Sequence, residues 1–208
     1  MLTQSNQWLA AQELASIQMR YAETGRTLNE AVLCGAKDFI DWQHYPNNDL
    51  LDERTGYEFY YHAHSADEML PGEHGHFHVT KRNKDSFHHL LGIALDQKGL
   101  PVRLFTTNQW VTGEEIVDAR EVLQSVKNFE MTVMGRLAPI SKWIGALMSL
   151  FYPEIEGLLL ERDKRILELM ESTGSKDLAL NSRSHHVLTE CGIDLIARLS
   201  ENLLVVNS

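Results

Sequence analysis

Residues 60–96, YYHAHSADEMLPGEHGHFHVTKRNKDSFHHLLGIALD, hold seven of the ten histidines in the 208-residue chain. From Tyr57 to Thr107 residue character alternates with a period of two, as it does along a strand whose successive side chains point to opposite faces. Four strands are predicted over 57–64, 74–80, 87–95 and 102–107, with Pro-Gly, Asn-Lys and Lys-Gly turn signals between them. Connections this short imply an antiparallel meander.

Parity then sorts the side chains. In the first two strands the odd positions (Tyr57, Phe59, Tyr61; Phe77, Val79) are apolar, while the even positions carry Tyr60, His62, His64, His74, His76 and His78. The third strand continues the pattern with Leu91, Ile93 and Leu95 on the odd side and His88, Gly92 and Ala94 on the even side, which sends His89 to the core. Placing His64 opposite His74 sets His62 against His76 and Tyr60 against His78. A one-residue slip would drive the second strand's imidazoles into the apolar core, so the parity is strongly specified. In the fourth strand Val102 and Leu104 fall with the core, and Arg103, Phe105 and Thr107 share the histidine side.

Opposite Cβ atoms on such a sheet lie about 4.5–5.5 Å apart, close enough for several imidazoles to converge on one ion. His62, His64, His76 and His78 are the leading candidate ligands, with His74 and His88 as alternates. The two cysteines, Cys34 and Cys191, lie far from this block, so no thiolate site is expected. An imidazole set suits zinc or iron first among the transition metals, and haem less well. Glu73 or Glu58 can add a carboxylate. Tyr60, Glu73 and Arg103 are the candidate catalytic groups, as phenol, acid–base or fourth ligand, and anion contact respectively. The pattern fits a metal-dependent hydrolase or oxidase acting on a small molecule. It also fits a non-catalytic metal or haem sensor, store or carrier, a metal-free hydrogen-bonded or pH-responsive cluster, and a solvated stripe. A single His on a strand is most often a surface or satisfied core residue; the crowding is what argues for an ion.

Around this block the texture is helical, and the expected fold is a single α+β domain over residues 1–208. A lead-in spans 1–43, with one helix over 5–22, a stop at Gly25 and a second helix through about Phe39. Residues 44–56, HYPNNDLLDERTG, read as loop, where Asp49 and Asp52 either orient an imidazole or serve the turn. The helical part spans 112–208. TGEE at 112–115 has the pattern of a capping box opening a helix to about Phe129. Further helices are predicted over 138–150, from Pro153 to near Gly174, and over 184–202, with His185 and His186 on the surface. Asn108 and Trp110 follow the last strand, where Trp110 reads as a core anchor or a pocket wall.

Composition limits the partners. A net charge of -10 argues against a phosphate backbone. The N-terminal stretch lacks the basic flank of a secretory signal, and the apolar run at 138–152 is interrupted by Lys142 and too short for a span. A cytoplasmic protein with reduced thiols is expected; the oligomeric state is not legible.

The runs YYHAH…EHGHFH and TTNQWVTGE together resemble the core of an uncharacterised bacterial family, a domain of unknown function, over about residues 40–120. That resemblance implies no activity.

Overall fold

The computed structural model describes residues 4–36, 38–65 and 69–204. Its centre is an antiparallel sheet of six strands in sequential order: β1 (Tyr45–Leu51), β2 (Tyr57–His62), β3 (Glu73–Arg82), β4 (Phe87–Asp96), β5 (Pro101–Thr107) and β6 (Val187–Gly192). The α+β class and the meander agree with the sequence reading, but the expected four strands are six. β1 lies in the stretch read as loop. Only Tyr45, Leu50 and Leu51 pair with β2, and the Pro-Asn-Asn-Asp between them bulges out, with Asp49 at φ 46°. Its strand character comes from its neighbour. β6 lies in the stretch read as a helix from Ser184, because Val187, Leu188, Cys191, Leu195 and Leu199 recur at helical spacing. Here that run is a strand paired to β5, Leu104 opposite Cys191, followed by the separate helix α8 (Leu195–Leu204), where Asp194 accepts from the Ala197 N–H at 2.9 Å.

Helices from both ends of the chain cover the sheet's apolar side. The helices are α1 (Gln4–Glu23), α2 (Leu28–Val32), α3 (Gln109–Thr112), α4 (Ala119–Lys127), α5 (Ala138–Leu150), α6 (Tyr152–Thr173) and α7 (Lys176–Leu180), with α8 last; those packed against this side are α1, α2, α4, α5, α6 and α8. Leu14 and Ile17 of α1, Val122 of α4, Trp143 and Leu147 of α5 and Ile155 and Leu159 of α6 join Phe59, Phe77, Val79, Leu91, Ile93 and Leu104 of the sheet in one buried cluster. At roughly 1.5–3 kcal/mol for each large apolar side chain removed from water, this face drives the packing. α5 matches its expected bounds, and α6 ends at Gly174 in the left-handed conformation (φ 79°), which a residue without Cβ adopts at little cost.

Two helix expectations differ. The helix expected to reach Phe39 ends at Val32, and Lys37 lies outside the described residues. The TGEE box does not form. Thr112 closes α3, Gly113 turns the chain at φ 74°, and α4 opens six residues later, capped by Asp118. The capping box lies instead at Thr27 and Glu30, at the start of α2. Releasing Glu114 from a helix lets its side chain turn inward, 3% exposed.

No single helix among the described residues is long and apolar enough to cross a membrane; 135–150 and 152–173 pass such a test only as a pair bent by 76°.

Candidate metal centre

The β2–β3 register places His62 opposite His76 and Tyr60 opposite His78, as the sequence predicts. With period two, these side chains leave the sheet on the side away from the helical layer. His62, His76 and His78, each at most 8% exposed, offer ring nitrogens that lie within 4.8 Å of one another. His62 Nε2 and His76 Nε2 are 2.8 Å apart, and His62 Nδ1 is buried without a hydrogen-bond partner among the described residues. His64, just beyond β2, has its ring 5.1 Å from both His62 and His76 and stacks on Trp42 at 4.1 Å. Trp42 holds a left-handed φ of 67°, and its N–H donates to Ala63 O at 2.8 Å, which keeps it over His64. Of the four leading candidates, three converge and the fourth stands beside them.

Two bulges change the rest of the parity. At the start of β3, Glu73 pairs with Asp96 and Gly75 with Leu95, leaving His74 as the extra residue. His74 therefore meets the opposite side, where Nδ1 lies 2.7 Å from the Tyr61 hydroxyl, and it does not join the cluster. Gly75 makes room for this contact, since a Cβ there would come within 2.6 Å of that hydroxyl. In β4, Val79 pairs with Leu91 and Thr80 with His89, leaving Leu90 as the extra residue. A bulge puts two residues against one and reverses the alternation beyond it. The expected roles of the His88–His89 pair are thereby exchanged. His88 lies under α4, its Nε2 3.2 Å from Ser125 Oγ, and it does not join the three converging imidazoles. His89, expected in the core, faces His78, with His89 Nε2 2.9 Å from His78 Nδ1.

Behind His89 runs a buried chain of polar contacts. His89 Nδ1 lies 3.3 Å from Thr107 Oγ1, and Thr107 Oγ1 donates to Glu114 Oε1 at 3.4 Å. Glu114 Oε2 accepts from the His89 backbone N–H. When Glu114 is ionised it can only accept, and the polarity is then set: Thr107 Oγ1–H donates to Glu114, His89 Nδ1–H donates to Thr107, and His89 Nε2 accepts from His78 Nδ1–H. That leaves His78 Nε2 as a lone pair.

Burial is the main force on these groups, because it disfavours their charged forms. It lowers His62 to about 3, helped by the neighbouring His64 and His44. His89 also falls to about 3, with Arg162 and His88 adding to the desolvation. His76 and His78 lie well below the ordinary imidazole value for the same reason, with their histidine neighbours contributing. Glu114 is raised to about 7 by burial, against hydrogen bonds from His89, Thr112 and Thr107 and the charge of Arg162. At neutral pH the cluster presents uncharged imidazoles, the form that binds a metal.

The histidines line a cavity of about 620 Å³. Tyr60 forms part of its wall, stacked between His44 (3.8 Å) and His78 (5.1 Å), and burial raises its phenol far above the ordinary value. His44 is oriented by Asp49, with Nδ1 2.8 Å from Oδ1, so Asp49 does serve an imidazole, though not a predicted ligand. Asp52 serves the turn, accepting from Arg54 N–H and Thr132. Gly92, opposite Phe105, leaves space that the Phe105 ring fills; a Cβ there would come within 2.3 Å of it. Phe105 thus lies beside His76 and His78, edge-on at 5.3 and 5.9 Å.

Glu73 and Arg103 both line the cavity, but they hold each other. Arg103 Nε and Nη2 donate to the two Glu73 oxygens at 2.6 and 3.0 Å, and Nη1 donates to Glu190 Oε2 at 2.7 Å. Glu58, the other carboxylate considered, is buried in a pair with Arg82 and does not line the cavity. Trp110 lines the cavity and donates from Nε1 to Ser182 O at 2.8 Å, while Asn108 caps α3. His186, read as helix surface, precedes β6 and also lines the cavity, edge-on to Trp110 at 4.4 Å. His89, Glu114 and His186 are the residues sequence reasoning missed. Only the His88–His89 doublet carried a signal, since adjacent residues on a strand face opposite ways.

A family model for a domain of unknown function, DUF6969, matches residues 8–193, well beyond the 40–120 core that carried the resemblance. No curated protein and no solved structure gives a significant match. A match over that span covers most of the chain, its helices and its histidine sheet alike, and the chain belongs to the DUF6969 family.

Proposed function

We propose that this protein is a metal-dependent enzyme that holds one transition-metal ion on His62, His76 and His78 and acts on a small molecule in the adjoining cavity. The observation that carries this reading is the convergence of three buried, uncharged imidazoles on the wall of a cavity of about 620 Å³. A carrier would be served by a saturated or surface-accessible site. Three imidazoles set back in a ligand-sized cleft, each at most 8% exposed, leave a coordination position for water or substrate.

Zinc is the best fit. The carboxylate that a two-histidine iron site would recruit is engaged, since Glu73 is clamped by Arg103. His78 would ligate through Nε2, with Nδ1–H held by His89 in the manner that fixes the ring of a metal-bound histidine. His62 and His76 would ligate through the Nε2 atoms that now face each other at 2.8 Å. When bound, the ion would supply Lewis acidity and a water of lowered pKa. Tyr60, kept protonated by its surroundings, is placed as a hydrogen-bond donor rather than a base.

The test is elemental analysis of untagged protein purified without a metal column, followed by reconstitution with Zn(II). About one ion per chain is expected, falling by more than half in His76→Ala. Fewer than about 0.1 ion per chain after reconstitution would overturn the reading.

A further inference from the structure

The rim of the cavity points to the kind of molecule it takes, an inference that rests on reading the cavity as a substrate pocket. Histidines aside, Arg103 is the one cationic side chain among the described residues that line it. Arginine's forked edge is the usual partner of a substrate carboxylate or phosphate. Here the Nε–Nη2 fork is closed by Glu73, and three of the five N–H groups are bonded. Nε and Nη2 are taken by Glu73 and Nη1 by Glu190, while the flat of the guanidinium lies over Phe105 at 4.7 Å. Burial works against the charge of Arg103, and the two carboxylates hold it protonated. Two carboxylates against one guanidinium leave the rim with one negative charge in excess, which repels anions. An ion on the three histidines would place positive charge at the opposite end. Between these charges the walls are aromatic: Tyr60, Phe105 and Trp110 all line the cavity.

We infer that the pocket takes a small molecule with a flat, ring-sized apolar body, and that its Glu73–Arg103–Glu190 rim favours an uncharged group there over a carboxylate or phosphate. Flat apolar bodies pack well against aromatic walls, and a cavity of this size encloses most of such a ligand. Arg103 is then a specificity residue by being masked: its bond to Glu73 removes the anion contact its position would otherwise offer.

The isosteric pair benzamide and benzoate separates charge from shape. Each is titrated into the full-length, metal-free protein and followed by tryptophan fluorescence. Benzamide should bind at least about tenfold more tightly than benzoate, the effect of roughly one screened charge at short range. In the double variant Glu73→Gln, Glu190→Gln the guanidinium edge is released, and the preference should vanish or reverse. Should that variant fail to fold, Glu190→Gln alone sheds only the outer, half-exposed partner and should reduce the preference. The proposal is overturned by benzoate binding wild-type protein as tightly as benzamide, by neither probe binding up to about 10 mM in a cavity of drug-like size, or by a folded variant whose preference is unchanged. Because the assay contains no ion, its failure and the failure of the zinc measurement are independent outcomes.

Discussion

Single hydrogen atoms decide what each histidine in this site can do. An imidazole has two nitrogens, and the partner of one fixes the state of the other. When ionised, Glu114 sets the polarity of its chain, and the result reaches His78 through Thr107 and His89. Thr107 is the link where this can be tested with little change in shape. Thr107→Val removes the hydroxyl and leaves His89 Nδ1 and Glu114 without their shared partner. We expect zinc affinity to fall about 10-fold, the lower end of what such supporting residues contribute, and the Co(II) absorption spectrum to change. Thr107→Ser should restore both. A purely structural role for Thr107 would lower stability, by roughly 1–3 kcal/mol for buried groups left unpaired, without altering the spectrum.

Strand geometry explains both what the sequence disclosed and what it hid. The parity of the β2–β3 pairing was legible because one side of each strand is apolar and the other is not, so a one-residue slip would break both; slips of two keep the faces, and parity alone does not choose among them. α5 and α6 were legible from long periodic patterns with Pro and Gly at their ends. The extra residues His74 and Leu90 were not. A bulge adds a single residue and carries no composition signal of its own, yet it moved His74 out of the cluster and exchanged His88 for His89. β1 was hidden because Pro46, Asn47, Asn48 and Asp49 disfavour strands and only the pairing with β2 holds them. β6 was hidden because its apolar spacing coincides with a helix. The Gly92–Phe105 pair across β4 and β5 gives a measurable consequence. Gly92→Ala places a Cβ where the Phe105 ring lies and should cost about 1–3 kcal/mol, as overpacked cores do. Urea denaturation reads this. An unchanged midpoint would mean that the ring moves aside freely and does not wall the site.

For the molecule as a whole, buried histidines tie stability to pH. In the folded state His62 and His89 titrate near 3, against an ordinary value of 6.5. Between those limits the unfolded chain binds protons that the folded chain refuses. Their contribution is therefore fully present above about pH 6.5 and is lost as pH falls, at up to about 1.4 kcal/mol per pH unit for each imidazole. Glu114 acts with the opposite sign. Its folded value near 7 exceeds the ordinary 4.5, so its contribution is present at low pH and lost as pH rises through that window. The metal-free protein should show a urea midpoint that drops from pH 6.5 to pH 4, and the drop should steepen in Glu114→Gln. A flat profile would mean that the imidazoles are not held uncharged by the fold.

The three converging imidazoles all belong to one hairpin, since β2 and β3 follow each other directly. The surfaces that enclose them come from much farther along the chain, Trp110 and His186 among them. Hairpins close in microseconds, whereas contacts between distant segments form later and more slowly. On that ordering the three imidazoles would meet before Trp110 and His186 cover them, and an ion present while the chain folds would reach three nitrogens ahead of the finished cavity. Imidazole sites follow the general affinity order of the divalent metals and discriminate poorly among them without an imposed shape. The identity of an ion held by these imidazoles would then be set by which metal the folding compartment supplies, as much as by the geometry of the mature site.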